Sequence, residues 1–201
     1  MVAYSPMETD EGKMPSAQYN REPLLLRRGP LGFDSIHWVV QVIMSIVRYF
    51  MLLALVIWVG GIVFFAFALA PTVFNPAILP TRQLAGNVVN RSLTSLHWMG
   101  IVCGVVFATV SMIDARLVNG VAQPFAARNL LIYAMILLTL VSMFGVGARM
   151  QALRQQMPLI DAVPHDDARR VEFNRLHHWS TRMEGTVLLL GLAALWLVAR
   201  S

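Results

Sequence analysis

The chain has 201 residues, of which 57% are hydrophobic and only 13% are charged. A soluble domain carries about twice that share of charged residues, so the composition excludes a soluble globular protein and predicts a multi-pass membrane protein in the lipid bilayer. The formal net charge of +5 comes mainly from arginines between apolar runs, and no basic face with interleaved aromatic residues indicates a nucleic-acid partner.

The chain begins with a polar segment, residues 1–33, which we predict to be a disordered tail. Four prolines support this prediction: Pro6, Pro15, Pro23 and Pro30. The remainder, residues 34–201, is predicted to form one membrane domain.

The first apolar stretch, residues 36–79, is long enough for two spans, but Arg48 would then lie at the centre of the first of them. An arginine at the centre of a span costs a few kcal/mol, so two crossings within this stretch are disfavoured. We predict instead a helix that begins near Ser35 and lies first in the membrane interface. This helix then crosses the membrane over residues 49–70 and ends at Pro71.

The second and third spans are predicted at residues 92–113 and 129–148, which contain no charged residue. Gly100, Gly104 and Ala108 recur at intervals of four residues in the second span. This spacing of small residues is typical of helices that approach each other closely in membranes.

The fourth span ends a long helix that we expect to begin at Asp166 or Asp167, since an acidic residue caps a helix N-terminus well. The uncharged residues 185–199 are too few for a span of roughly 20 residues, so the span is predicted at 179–199. The predicted fold is therefore all-α: an integral membrane four-helix bundle with an interfacial helical extension before span one and a long fourth helix.

The orientation of this bundle is not fixed by the sequence, because Lys and Arg are evenly divided between its two sides. The polar N-terminal tail carries no export signal. We therefore expect the protein in the plasma (inner) membrane with both termini in the cytoplasm.

Two histidines are expected at the same membrane face, because the second and fourth spans both begin there. His97 opens the second span, His177 precedes the fourth, and the first span runs from Trp58 towards this face. Two imidazoles from different helices can bind haem b or copper, and the thioethers of Met99 and Met183 suit cuprous copper. Alternatively, each histidine simply hydrogen-bonds a backbone group or a lipid headgroup.

A polar stripe continues into the fourth span, because His177, Ser180 and Glu184 share one face of a helix. A carboxylate at this depth is expected to be protonated, or paired with Arg182, Arg91 or a cation. It could carry protons, bind a cation, or hydrogen-bond a neighbouring hydroxyl group.

Three segments resemble one family: Trp58-Val59-Gly60-Gly61 with Phe64-Phe65 and Ala70-Pro71-x-x-Phe74; His97; and Phe173-Asn174-Arg175-Leu176-His177 with Ser180 and Glu184. They resemble the poorly characterised four-helix membrane family that includes the vertebrate cisplatin-resistance-associated transmembrane protein. That family is distantly similar to copper-resistance-D-type membrane proteins and to four-helix haem-linked protoporphyrinogen oxidases.

The resemblance runs from about residue 54 to the C-terminus. It implies that His97 and His177, rather than His178, hold the family's histidine positions. Glu184 is a departure, since such sequences usually carry Asn there. This difference either limits how far the family's properties can be transferred to this chain or marks the chain as a specialised member of the family.

No catalytic signature occurs in the sequence, which leaves the question of an enzyme open but favours none. The first hypothesis is a protein that binds or transports copper, another metal or haem near one membrane face. The second is a structural or accessory subunit of a membrane complex or homo-oligomer, without a cofactor of its own. The third is a haem-dependent membrane oxidoreductase.

Overall fold

The computed structural model describes residues 31–79, 81–157 and 162–200, with side chains from His37 onward. The described residues form helices and contain no strand, which confirms the predicted all-α class. Two units are distinguished, divided between Val39 and Val40, and the bundle belongs to the second. Residues 1–30 of the predicted tail lie outside the described residues.

The first long helix consists of α1 (Leu31–Phe64), a π-helical turn π1 (Phe65–Leu69) and α2 (Ala70–Val73). It therefore already includes residues before Ser35, where we expected it to begin. The prediction that it ends at Pro71 is wrong. At the end of π1 the Ala70 N–H donates a hydrogen bond to the Phe65 carbonyl. Pro71 therefore lies in the first turn of α2, where the missing N–H of a proline is tolerated.

The other segments are α3 (Arg82–Asn119), α4 (Ala127–Leu140), a second π-helical turn π2 (Val141–Gly147), α5 (Ala148–Gln156) and α6 (Ala168–Arg200). We predicted a loop where α5 lies. The helix continues there because α5 is built from Ala, Arg, Met, Gln and Leu, which all favour helix.

Side chains and one glycine mark the ends of these helices. The Thr81 hydroxyl accepts a hydrogen bond from the Leu84 N–H, and Gly120 ends α3 with a φ of 73°. Asp167 caps α6, because its carboxylate accepts the Arg169 N–H at 2.9 Å. Hydrogen bonds from the Arg169 side chain lower the pKa of Asp167 to about 2.

Four helical stretches are long and apolar enough to cross a membrane: His37–Val73, Arg82–Asn119, Ala127–Gln156 and Ala168–Arg200. Each of the four predicted spans lies within one of them. Large apolar side chains remain on the outer surface of the bundle, where they suit lipid rather than water. The chain is therefore an integral membrane protein.

The core is built around Trp58, whose side chain is 2% exposed. A Cβ atom at Gly100 would lie 2.2 Å from Trp58 Nε1, and one at Gly104 would lie 2.9 Å from Trp58 Cζ3. Only glycine therefore lets α1 and α3 pack this closely, which confirms the predicted role of Gly100 and Gly104.

Candidate functional site

A cavity of about 640 Å³ lies within one end of the bundle, and we call it the pocket. All four long helices contribute to its walls: the end of the first, the first half of α3, the stretch from π2 through α5, and the middle of α6. Much of its wall is apolar, including Ile62, Phe65, Phe74, Leu93, Phe144 and Leu188. The volume lies within the range of small-molecule sites in proteins, roughly 300–1,000 Å³.

A hydrogen-bonded pair of side chains, His97 and Glu184, joins α3 to α6 in the wall of the pocket. His97 Nε2 and Glu184 Oε1 lie 2.5 Å apart, and the two side chains are 6% and 17% exposed. The pair is neutral overall when a protonated imidazole faces a carboxylate. It is equally neutral when a neutral imidazole faces a carboxylic acid. The structure thus pairs Glu184 with His97 rather than with Arg182 or Arg91.

The other residues singled out in the sequence divide between the pocket and the core. His177 and Ser180 line the pocket on the same face of α6 as Glu184. Met99 does not line it but packs against Gly61, and Met183 also lies outside the lining. Trp58 belongs to the core.

Several polar residues of the pocket were not found by sequence reasoning, including Asn90, Gln151 and Arg154. Asn90 Nδ2 donates to Gln151 Oε1 at 3.2 Å, which links α3 to α5. Arg154 Nη1 donates to the Gly86 carbonyl at 2.8 Å. Gln151 and Arg154 were missed because the segment after residue 148 was expected to be a loop, and Asn90 was missed because it precedes the second predicted span.

Both π-helical turns lie in the wall of the pocket. The π1 turn contributes Phe65 and Ala66, and π2 contributes four residues that include Ser142. Ser142 is 2% exposed, and its Oγ has no hydrogen-bond partner among the described residues. Because π-helical turns occur frequently at functional sites, their position strengthens the assignment of the pocket as the candidate site.

The sequence pattern of the domain of unknown function DUF4149 matches residues 53–158, more than half of the chain. The chain belongs to the DUF4149 family. The matched part of this DUF4149 protein contains His97 and Arg154 but ends before α6, which supplies His177 and Glu184. No curated protein and no solved structure matches the chain.

The arrangement of ligand-type side chains in the DUF4149 protein does not fit a closed metal site. No group of three or more His, Cys, Asp or Glu residues within the described ranges is placed to hold a metal ion. His97 Nε2 is engaged by Glu184, so this nitrogen is not open to a metal ion or a haem iron. Coordination by His97 would require its other ring nitrogen or the loss of the bond to Glu184.

A second polar cluster of the DUF4149 protein lies where α3 ends and α4 begins, at the other end of the bundle. Arg128 Nη2 donates to Asp114 Oδ2 at 2.9 Å and to the Ser111 carbonyl at 3.3 Å. Asn129 Nδ2 donates to the Gln123 carbonyl at 3.0 Å. These bonds fix the turn between the two helices. Because Asp114 and Arg128 offset each other's charge, Asp114 can be buried and Arg128 partly buried.

Proposed function

We propose that this DUF4149 protein is a membrane-embedded binding protein that holds a small amphipathic molecule in the pocket at one membrane face. The observation that carries the proposal is the His97–Glu184 pair, a polar group taken out of water inside a largely apolar cavity. Binding sites for small molecules combine apolar walls with a few placed polar groups in this way.

The pair gives the pocket a group that can both donate and accept a hydrogen bond. The bond to His97 uses only Oε1 of Glu184, which leaves Oε2 as an acceptor for a ligand. The hydroxyl groups of Ser142 and Ser180 supply donors on neighbouring parts of the wall. A ligand with a hydroxyl or carbonyl group would satisfy these atoms, which are costly to leave unpaired in a buried site.

The proposal is tested by filling the pocket. A side chain at Gly185 would enter open space in the pocket wall, since nothing lies within 4 Å of a Cβ atom there. Gly60 has equally open space but does not line the pocket, so Gly60→Leu is a matched control for Gly185→Leu. Both variants and the wild type would be purified in mild detergent, and bound small molecules would be measured by mass spectrometry.

We expect a bound molecule in the wild type and in Gly60→Leu, and its loss in Gly185→Leu. Equal amounts in both variants would contradict the proposal. If the wild type carries no bound molecule and co-purifies stably with a larger membrane complex, the accessory-subunit hypothesis is favoured instead.

A second candidate function is the binding of haem or copper, favoured by the presence of His97 and His177 in the wall of one pocket. Imidazole suits both iron and copper. The resemblance to copper-resistance-D-type proteins also supports this candidate, although His97 would have to change its bonding to Glu184. A visible spectrum of the air-oxidised and dithionite-reduced protein, with elemental analysis, tests it. A featureless, metal-free sample would remove this candidate.

We further propose that the protein resides in the plasma (inner) membrane with both termini in the cytoplasm. Four crossings would place both termini on the same side of the membrane. Reporter fusions at the two termini would test the orientation, because both should report the cytoplasmic side. A periplasmic or extracellular signal from either terminus would contradict it.

A further inference from the structure

One positive charge in the wall of the pocket has no negative partner among the residues that the structure describes. Among the described residues that line the pocket, only Arg154 and Glu184 carry a formal charge besides the histidines. Glu184 is paired with His97, and that pair is neutral as a whole when it holds one proton. Arg154 forms no salt bridge with any carboxylate in the described ranges. Apart from the His97–Glu184 pair and His177, the one formal charge of the described pocket lining is therefore the positive charge of Arg154.

The guanidinium group of Arg154 is held in place by backbone and ring contacts. Its Nη1 donates to the Gly86 carbonyl at 2.8 Å, and its Cζ lies 5.4 Å from the centre of the Phe173 ring. A Cβ atom at Gly86 would lie 2.7 Å from Nη2, so the group rests directly on a glycine backbone. A guanidinium has five N–H donors, and most of them remain for a ligand.

Such a group is well suited to bind an anion. A charge that is partly removed from water and left unpaired is costly, and an anionic ligand offsets that cost. The planar guanidinium matches a carboxylate or a phosphate with two parallel hydrogen bonds. A fixed guanidinium loses little side-chain freedom when the anion binds.

The rest of the pocket fits an apolar chain that points away from this charge. Arg154 lies beside Phe173 near the start of α6, whereas Leu188 lines the pocket further along the same helix. His177 and Leu188, which both line the pocket, are separated by about 16 Å along a helix axis at a rise of 1.5 Å per residue. The pocket therefore extends along α6, with Arg154 near the start of that helix, the His97–Glu184 pair further along, and apolar side chains such as Leu188 beyond it.

We infer that the pocket binds a single-chain anionic amphiphile, with its headgroup on Arg154 and its chain between the two π-helical turns. This inference rests on the proposed function, because it names the class of molecule that the pocket holds. A long-chain carboxylate and a lipid with a phosphate headgroup share this chemistry.

The first test compares amphiphiles that differ only in the headgroup. Oleate, oleoyl lysophosphatidate, oleyl alcohol and oleylamine would be titrated against the full-length protein in neutral detergent, with ligand-induced thermal stabilisation as the readout. We expect the two anions to bind at least about tenfold more tightly than the alcohol, and the amine most weakly. The stronger of the two anions identifies a carboxylate or a phosphate as the natural headgroup. Equal binding of oleate and oleyl alcohol would overturn the inference.

The second test removes the charge. Arg154→Gln should abolish the preference for anions, whereas Arg154→Lys should retain part of it. Arg149→Gln is the matched control, because Arg149 lies on the same helix, is exposed, and pairs with Glu172 outside the pocket. An unchanged preference in Arg154→Gln would refute the assignment. If this variant does not fold, the comparison of headgroups on the wild type decides.

The two proposals fail in different ways. If none of the amphiphiles binds the wild type saturably, the proposed function fails together with the inference. If they bind without a preference for anions, and Gly185→Leu blocks that binding, the pocket stands as a binding site and only the anionic headgroup is wrong.

Discussion

Replacement of Gly100 by alanine should destabilise the bundle, because the added methyl group has no room against Trp58. The new Cβ atom would lie 2.2 Å from Nε1 and 2.5 Å from Cε2 of the indole. Both are atoms of a rigid ring, and the Trp58 side chain is only 2% exposed. The ring has no free space to enter, so α1 and α3 must move apart.

The size of the effect follows from two opposing terms. Overpacking a core by one methyl group costs about 1–3 kcal/mol, and the rigidity of the ring places this contact near the upper value. Replacing glycine by alanine within a helix stabilises the helix by up to about 1 kcal/mol, because alanine has the higher helix propensity. The net loss is therefore about 2 kcal/mol, which corresponds to a Tm lower by about 4–8 °C in a chain of this size.

Thermal unfolding of detergent-purified variants measures this difference. Gly60→Ala is the control, since a Cβ atom there meets nothing within 4 Å and the helix should become slightly more stable. In a Trp58→Leu background, Gly100→Ala should cost less stability than it does in the wild type, because the smaller side chain makes room for the added methyl group. If Gly100→Ala and Gly60→Ala unfold within about 1 °C of each other, the close packing on Trp58 is not as described.

Three further predictions concern charged and polar pairs, and thermal unfolding measures each of them. Glu184→Ala should cost about 1–3 kcal/mol, because it leaves the buried His97 unpaired, and Glu184→Gln should cost less; equal losses would contradict this reasoning. Asp114→Ala should cost about 1–3 kcal/mol, since it leaves the partly buried Arg128 without its carboxylate partner, and an unchanged Tm would contradict it. Asp167→Asn should lower the Tm at pH 7. Because the carboxylate is ionised down to a pKa of about 2, this difference should persist at neutral pH and disappear as the pH falls through about 2. A difference that stays constant below that pH would contradict it.

Most of the fold is predictable because apolar length is a local property of the sequence. All four predicted spans lie within helices of the structure, and Gly100 and Gly104 serve the close helix contact that their spacing predicted. The ends of the helices are less predictable. Pro71 fits inside the first long helix only because a π-helical turn precedes it, and no residue pattern marks that turn.

The candidate site is only partly predictable for a physical reason. Sequence periodicity places residues on the faces of one helix, so it correctly aligned His177 with Glu184. The bond between His97 and Glu184 depends on how α3 and α6 are aligned with each other, which one sequence does not reveal. Arg154 was missed because a charged segment after an apolar run resembles a loop, whereas packing against Gly86 and Phe173 keeps it in the wall of the pocket.

The turn π2 behaves as a one-residue insertion in an otherwise regular α-helix. Each residue advances an α-helix by about 100°, so the surplus residue sets the rotational phase of everything that follows it. With this surplus residue in place, the rotation of the following helix puts Gln151 and Arg154 in the wall of the pocket. Deletion of one residue between Val141 and Gly147 would restore a continuous α-helix and turn both side chains away, with no change to the connecting loops or to α4. The residue count of this segment, and not only its composition, therefore determines which groups the pocket presents.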